Sequence, residues 1–399
     1  MLDAYIYDGV RTPFGRYAGK LAGVRVDDLM GHAIRALVAR TKLDPKTIDD
    51  VIIGCANQAG EDSRCVARHA ILSADLPIDV PGQVIQRNCG SGMNALASAG
   101  QAITSGEGTI MIAGGVEGMS RAPFVMPKAE SAYAREPKIY DSTIGARFSN
   151  PKIVDQYGND TMPETADNLA REYQITREQA DVFAAGSQSK YFAAKSAGFF
   201  ADEIVAVAVP GGKAGPVSVG EDEHPRADSA VDKLAKLRPL NKDGVTTAGN
   251  ASGVNDGAAA LLVADRAFGE RSGLAPIAKL RASAVAGVPP RIMGIGPAPA
   301  ARKALERAGL KLADMDVIEV NEAFAAQVLA CLKDLGIGFD DPRVNPNGGA
   351  IALGHPLGAS GARIALTAAR ELKRRGGRYA LISMCIGVGQ GIAMVIERA

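Results

Sequence analysis

Cys89-Gly90-Ser91-Gly92-Met93-Asn94-Ala95-Leu96-Ala97 opens a helical run that gives way to Gly108-Thr109-Ile110-Met111-Ile112. The alanine-rich stretch from Ser91 to Ser105 predicts a helix. The β-branched run after Gly108 predicts a buried strand, and glycines mark the turns. The same order recurs later in the chain. Placing Ser91-Gly92 on Ser360-Gly361 without a gap carries Gly108 onto Gly377 and Thr109-Ile110-Met111-Ile112 onto Arg378-Tyr379-Ala380-Leu381. At a slightly smaller spacing, Asp50-Val51-Ile52 pairs with Asp316-Val317-Ile318. Identity is low, but the shared order predicts two duplicated halves. Strand-like Val51-Ile52-Ile53 and Gln83-Val84-Ile85 alternate with helices near Arg64 to Leu72 and Ser91 to Ser105. This alternation makes the fold class α/β.

Between the halves, roughly from Arg121 to Asn250, the repeat lapses. Pro123, Pro127, Pro151, Pro163 and the turn Gly211-Gly212-Lys213-Ala214-Gly215-Pro216 interrupt the pattern, while Ala166 to Ala197 keeps helical periodicity. A long insertion with its own helices reads as a unit covering a ligand. The expected division is 1–120 with 251–270 as the first half, 121–250 as an inserted loop domain, and 271–399 as the second half.

Composition narrows the function. Lys plus Arg (45) almost cancels Asp plus Glu (44), so no bulk field favours nucleic acid or an anionic membrane. No apolar run reaches the ~18 residues that a membrane span needs, and Met1 to Val10 has no basic-then-apolar leader. The five cysteines are odd in number and scattered, which predicts free thiols and a cytoplasmic protein. With four histidines and no ligand-spaced pair, no metal site is expected.

Three segments carry reactive side chains. In Gln86-Arg87-Asn88-Cys89-Gly90-Ser91-Gly92, the thiol stands where a strand meets a helix. There, free backbone N–H groups and the helix dipole favour a thiolate. Alone, Cys89 could equally be a structural cysteine at a tight turn. In Asn345-Pro346-Asn347-Gly348-Gly349-Ala350-Ile351-Ala352-Leu353-Gly354-His355-Pro356-Leu357-Gly358, the repeat sets Gly358 opposite Cys89. His355 therefore lies on the equivalent loop of the other half. Imidazole, with a pKa near ~6.5 against ~8.5 for a thiol, is the natural base for it. In Met384-Cys385-Ile386-Gly387-Val388-Gly389-Gln390-Gly391, a strand runs into a second thiol and then glycines. Two thiols and an imidazole fit either a redox dithiol or a nucleophile with a separate acid–base thiol. The glycine run, whose N–H groups can face an oxyanion, favours the latter. Val320-Asn321-Glu322-Ala323-Phe324 could orient water or a carbonyl, or cap a helix. The loop Ala248-Gly249-Asn250-Ala251-Ser252-Gly253-Val254-Asn255-Asp256-Gly257 matches neither common nucleotide-binding glycine pattern.

Cys-Gly-Ser-Gly, Asn-Glu-Ala-Phe, Gly-His-Pro and a C-terminal Cys-Ile-Gly, in this order, resemble the thiolase family from Ile6-Tyr7-Asp8 to Glu397. The resemblance implies a five-layered αβαβα sandwich of two duplicated halves with an inserted loop domain, assembled as a homotetramer (a dimer of dimers). It implies acyl-CoA and CoA as substrates, coenzyme A as co-substrate and no permanently bound cofactor. Cys89 would hold the acyl group, His355 would take its proton, and Cys385 would move the proton at the α-carbon. Asn321 would hold a water that, with His355, stabilises the thioester enolate. The N–H groups of Cys89 and Gly387 would form a second oxyanion hole. Ser252 would sit against the pantetheine arm, with Met162, Met293, Ala323 and Phe324 also binding coenzyme A.

Gly54-Cys55-Ala56-Asn57-Gln58-Ala59-Gly60-Glu61-Asp62, Ser120-Arg121-Ala122-Pro123-Phe124 to Phe148, Tyr157 to Thr165 and Val388 resemble the branch that cleaves 3-oxoadipyl-CoA. A broader or short-chain acetyl-CoA C-acetyltransferase is the alternative. A substrate ending in a carboxylate calls for a cation, with Arg121, Lys128 and Arg147 as candidates. A decarboxylating condensing enzyme, with a Cys-His-His or Cys-His-Asn site, is disfavoured by the thiol of Cys385. A silent CoA-binding protein is disfavoured because every reactive position is filled. Two residues depart from the family's usual pattern: Gln86 replaces an asparagine, and Asn88 replaces a leucine just before the nucleophile.

Overall fold

The computed structural model describes residues 2–399. Its main sheet has ten strands. From one edge they run Val317–Val320, Tyr379–Ile386, Gln390–Arg398, Ala278–Gly287, Ala4–Arg11, Asn255–Ala264, Ile110–Gly118, Asp50–Gly54 and Gly82–Ile85, with the short Gly15–Arg16 paired to Asn255–Ala264. Only three residue pairs, Ala4 to Ile6 against Ala278 to Leu280, join its two halves. Each half repeats one topology. Asp50–Gly54 runs parallel to both Ile110–Gly118 and Gly82–Ile85. In the second half, Val317–Val320 runs parallel to Tyr379–Ile386, and a single parallel bridge, Ile318 to Val344, stands in for the edge strand.

Alternation along the strands sorts the core into layers. Ala258, Ala260 and Leu262 face the helices Val26–Thr41 and Val66–Ser73. Ala259, Leu261 and Val263 face the opposite way, against the helices Ser91–Ser105 and Leu357–Arg375. Those two helices also receive Val317, Ala380 and Ile382 from the second half. Beyond it, Ile318, Val320 and Leu381 pack on Pro297–Ala308 and Ala325–Leu335. The result is the αβαβα sandwich, with the middle helices buried on both sides.

Helices flanked by sheet on both faces must be apolar or small all round. At their crossing even a methyl group is too large. A Cβ on Gly92 would stand 2.3 Å from the Gly358 carbonyl oxygen, and one on Gly361 would stand 2.3 Å from the Met93 amide. Gly92 and Gly361 are partners in the sequence repeat, so each half contributes one glycine to the same contact.

The second repeat match slips by one residue. Asp49, not Asp50, is the counterpart of Asp316. Asp49 Oδ2 accepts the amides of Thr109 (2.7 Å) and Ile110 (2.9 Å). Asp316 Oδ2 accepts those of Arg378 (2.6 Å) and Tyr379 (3.0 Å). Side chains one position apart on a strand face opposite ways, so only this register preserves the contact.

Within the interruption between Gly118 and Asn255, the helical stretch expected from Ala166 to Ala197 is two helices, Met162–Tyr173 and Arg177–Ser196. They part at Gln174, which has a left-handed φ of 55°. The segment is tied to the first strand by buried Arg11, which pairs with Glu203 Oε1 and Asp222 Oδ1 at 2.6 Å each. For Gly361→Ala we expect a loss of stability of at least about 1–3 kcal/mol, because backbone is what the new methyl group meets. A urea midpoint equal to that of the parent would refute the close-contact role.

Candidate active site

The loop before the helix Ser91–Ser105 is held by its first residue. Ser91 Oγ donates to the Asn88 carbonyl (2.6 Å) and accepts from the Arg87 amide (2.9 Å). The half-buried Cys89 sulfur is thereby turned towards its own N–H and that of Gly387. Burial raises this thiol to about 11, and the charge of Glu117 adds to the rise; the two N–H groups pull it down. The expected thiolate is thus outweighed by desolvation. At neutral pH the sulfur carries its proton until a base removes it.

His355 lies on the matching loop of the second half. Its amide donates to Asn255 Oδ1 (2.9 Å). Ser360 Oγ donates to the Pro356 carbonyl (2.9 Å), so toward His355 Nδ1, 2.6 Å away, it acts as acceptor. The network assigns the proton to Nδ1 and leaves Nε2 as a lone pair facing Asn321 Nδ2 at 3.3 Å. Burial lowers the imidazole to about 3, with the positive charge of Arg363 as a second cause. Asn321 Oδ1 is buried without a protein partner. The helix that follows begins at Ala325 with no side-chain cap, so Asn321 is not a helix cap.

Cys385, wholly buried near the end of Tyr379–Ile386, is pushed well above an ordinary thiol by burial and by the Cys89 and Cys331 sulfurs. It packs in one apolar cluster with Met162, Ala166, Ala251, Met293, Ala323 and Phe324. Ser252 joins that wall through its backbone, its N–H donating to the Ala323 carbonyl (2.9 Å). The motif residues are joined in two groups: Cys89 with the Gly387 N–H and the Cys385 sulfur, and His355 with Asn321, whose backbone amide donates to the Ser383 carbonyl (2.9 Å) two residues before Cys385. The three cations have other surroundings. Arg121 is paired with Glu61, Lys128 is exposed, and Arg147 donates to Asn57 Oδ1 at 3.3 Å.

Sequence reasoning missed the braces. Glu117 accepts the amides of Ala56 (3.0 Å), Asn57 (2.9 Å) and Gly358 (2.8 Å), so one carboxylate ties loops of both halves. Burial raises it to about 7. Its signal was a lone charge inside an apolar strand. Glu322 accepts from Ser187 Oγ, Asn345 Nδ2 and the Ile351 amide at 2.7, 2.8 and 3.0 Å, linking the Asn321 loop to the interruption and to the His355 loop. Cys55, Asp62 and Glu117 have potential ligand atoms within 4.8 Å of one another. These atoms serve the backbone instead: the Cys55 thiol donates to the Asn57 carbonyl (2.9 Å), and Asp62 Oδ1 accepts the Gly60 amide (2.9 Å).

Two duplicated half-sheets whose middle helices begin beside a thiol and an imidazole have known relatives, and these define the class: an acyltransferase. Residues 4–267 match the thiolase N-terminal domain and residues 274–398 the thiolase C-terminal domain, so the chain belongs to the thiolase family. It is 57% identical over 400 residues to an Escherichia coli beta-ketoadipyl-CoA thiolase, with all of both chains covered. It is 45% identical over 400 residues to a Pseudomonas aeruginosa acetyl-CoA acetyltransferase, again end to end. The crystal structure of human mitochondrial 3-ketoacyl-CoA thiolase in complex with CoA superposes with a TM-score of 0.91 at 40% identity, covering 100% of this chain and 98% of that one. Among the described residues, no helix is long and apolar enough to cross a membrane.

Because its folded-state pKa lies below the ordinary 6.5, His355 contributes stability that is present above 6.5 and is lost as pH falls toward about 3. In an NMR titration, the imidazole signal assigned by difference against His355→Gln should stay at its neutral position from pH 8 down to about 4. Titration near 6.5 would contradict the dry, neutral site.

Proposed function

We propose that this acyltransferase cleaves 3-oxoadipyl-CoA with free CoA, giving succinyl-CoA and acetyl-CoA through an acyl-Cys89 intermediate. What carries the reading is Cys89 beside the Gly387 N–H and the Cys385 sulfur, together with His355 against Asn321. The greater likeness to the beta-ketoadipyl-CoA thiolase than to the acetyl-CoA acetyltransferase favours this substrate over acetoacetyl-CoA.

His355 Nε2 takes the Cys89 proton as the sulfur bonds to the 3-keto carbon, and the oxygen's charge falls between the N–H groups of Cys89 and Gly387. Each such donor is worth about 3 kcal/mol. The bond between the α-carbon and the keto carbon then breaks, and its electron pair becomes the enolate of acetyl-CoA. That oxygen faces the His355 Nε2–H and a water held by Asn321. Cys385 gives its proton to the α-carbon, and the His355 proton passes to Cys385. Neutral His355 then takes the proton of CoA, whose sulfur captures the acyl group, and returns it to Cys89. Every group ends as it began. The apolar wall of Met162, Met293, Ala323 and Phe324, with Ser252, suits the pantetheine arm of CoA, a co-substrate and not a resident cofactor.

The chain is best divided into 1–120 with 251–270, 121–250 and 271–399. Exposed Phe124, Met126, Tyr133, Ile139 and Ile144 lie within the middle part, as expected of a surface covered in a homotetramer. Free thiols fit a cytoplasmic protein.

With purified protein, kcat/KM for 3-oxoadipyl-CoA should exceed that for acetoacetyl-CoA by about tenfold or more, a difference of 1.4 kcal/mol; the reverse order would sink this specificity. Cys89→Ala should leave less than about a thousandth of the activity. Cys385→Ala should lose cleavage by about a hundredfold or more yet keep the exchange of label between succinyl-CoA and CoA, which moves no α-proton. Equal loss of both reactions would remove Cys385 from the role given to it.

A further inference from the structure

Gln86 and Asn88, the two departures flanking Arg87, are bonded to each other and to the turn that faces the Cys89 sulfur. Gln86 Nε2 donates to Asn88 Oδ1 (2.9 Å). Asn88 Nδ2 donates to the Gly387 carbonyl (3.2 Å). Between them, Arg87 Nη1 reaches Gln390 Oε1 (3.2 Å), at the far end of the same turn. The loop of one half thus grips the turn of the other at both ends.

The turn needs a grip. Val388 has φ 68° and a side chain largely in solvent. For a β-branched residue that backbone is an outlier, held only where its surroundings impose it. Asn88 itself has φ 43°, a left-handed conformation that asparagine tolerates far better than the usual leucine. Its amide is also orientated. With Oδ1 occupied by Gln86, only Nδ2 is free to face Gly387; a flipped amide would set oxygen against the carbonyl oxygen.

We propose that Gln86 and Asn88 are positioning residues that hold the Gly387 turn so that its N–H meets the oxyanion formed at Cys89. Gln86, whose Nε2 also reaches the Ala56 carbonyl at 3.4 Å, acts on the turn through Asn88. The inference rests on the acyl-Cys89 reading.

Gln86→Met removes one donor, and Asn88→Gly removes the side chain while keeping the backbone conformation open. Each should lower kcat roughly fivefold, the effect of one net hydrogen bond, with KM for the CoA thioester and the melting temperature little changed. The double variant should be no slower than Asn88→Gly alone, because the first amide has nothing left to orient. Unchanged kcat in Asn88→Gly, or losses that multiply in the double variant, would overturn the proposal. So would dissociation of the assembly on size-exclusion with kcat intact, which would give Asn88 to a subunit contact. If the parent protein shows no CoA-dependent cleavage, the functional reading fails on its own. The coupling is then read in the rate of Cys89 alkylation by iodoacetamide, where the same order of variants is expected and equal rates refute it.

Discussion

The site exists because two helices touch without side chains between them. Gly92 and Gly361 set backbone against backbone where Ser91–Ser105 crosses Leu357–Arg375, and Gly54 and Gly115 extend the contact. A Cβ on Gly115 would meet the Gly358 carbonyl, and one on Gly54 the Gly92 amide. Each helix begins at a loop that carries a reactive side chain. Bringing the helix starts together therefore draws the Cys89 loop and the His355 loop to the same crossing, without any element dedicated to that purpose. Duplication explains the economy: one half supplies a thiol at the turn, the other an imidazole one turn earlier.

Close packing brings the loops together but does not orient them. Orientation comes from buried or half-buried polar groups, three of which reach across the seam: Glu117 to Gly358, Asn255 to the His355 amide and Asn88 to Gly387, while Glu322 ties Asn345 and Ile351 within the second half. A buried polar group left unpaired is costly, so each bond permits one arrangement and penalises the rest. The braces were hard to read in the sequence for the same reason. Asp49 and Glu117 do their work through backbone amides distant in the chain, and no spacing rule announces such partners. Repetition was easier. The motif residues and both middle helices stand in the order the repeat gives, whereas the register of Asp316 depended on a pairing visible only in three dimensions. The helical stretch from Ala166 to Ala197 hid its break because Gln174, unlike glycine, gives no local warning of a left-handed turn.

Burial has a chemical consequence that composition could not convey. A helix N-terminus favours a thiolate, but here it competes with desolvation, and desolvation wins: Cys89 and Cys385 lie above an ordinary thiol, and His355 far below an ordinary imidazole. At neutral pH all three groups are uncharged. An ion pair waiting in a dry pocket would have to be stripped of compensating contacts before substrate could react. In the proposed reaction, the neutral set generates charge only when a carbonyl arrives to receive it, beside the N–H groups of Cys89 and Gly387.

Arg363 sharpens this arrangement. It stands three residues beyond the serine that fixes His355, buried with its guanidinium nitrogens unpartnered, and its charge further disfavours imidazolium. Glu319, whose carboxyl burial lifts to about 8, is drawn back down by the same guanidinium. A base held this far below neutrality is a poor place for a proton to rest. In the proposed reaction, a proton taken from Cys89 is therefore held on the imidazole only while the substrate carries the balancing negative charge. There, His355 can take the Cys89 proton only together with the bonding of sulfur to carbon, because an imidazole near 3 would not by itself draw a proton from a thiol near 11.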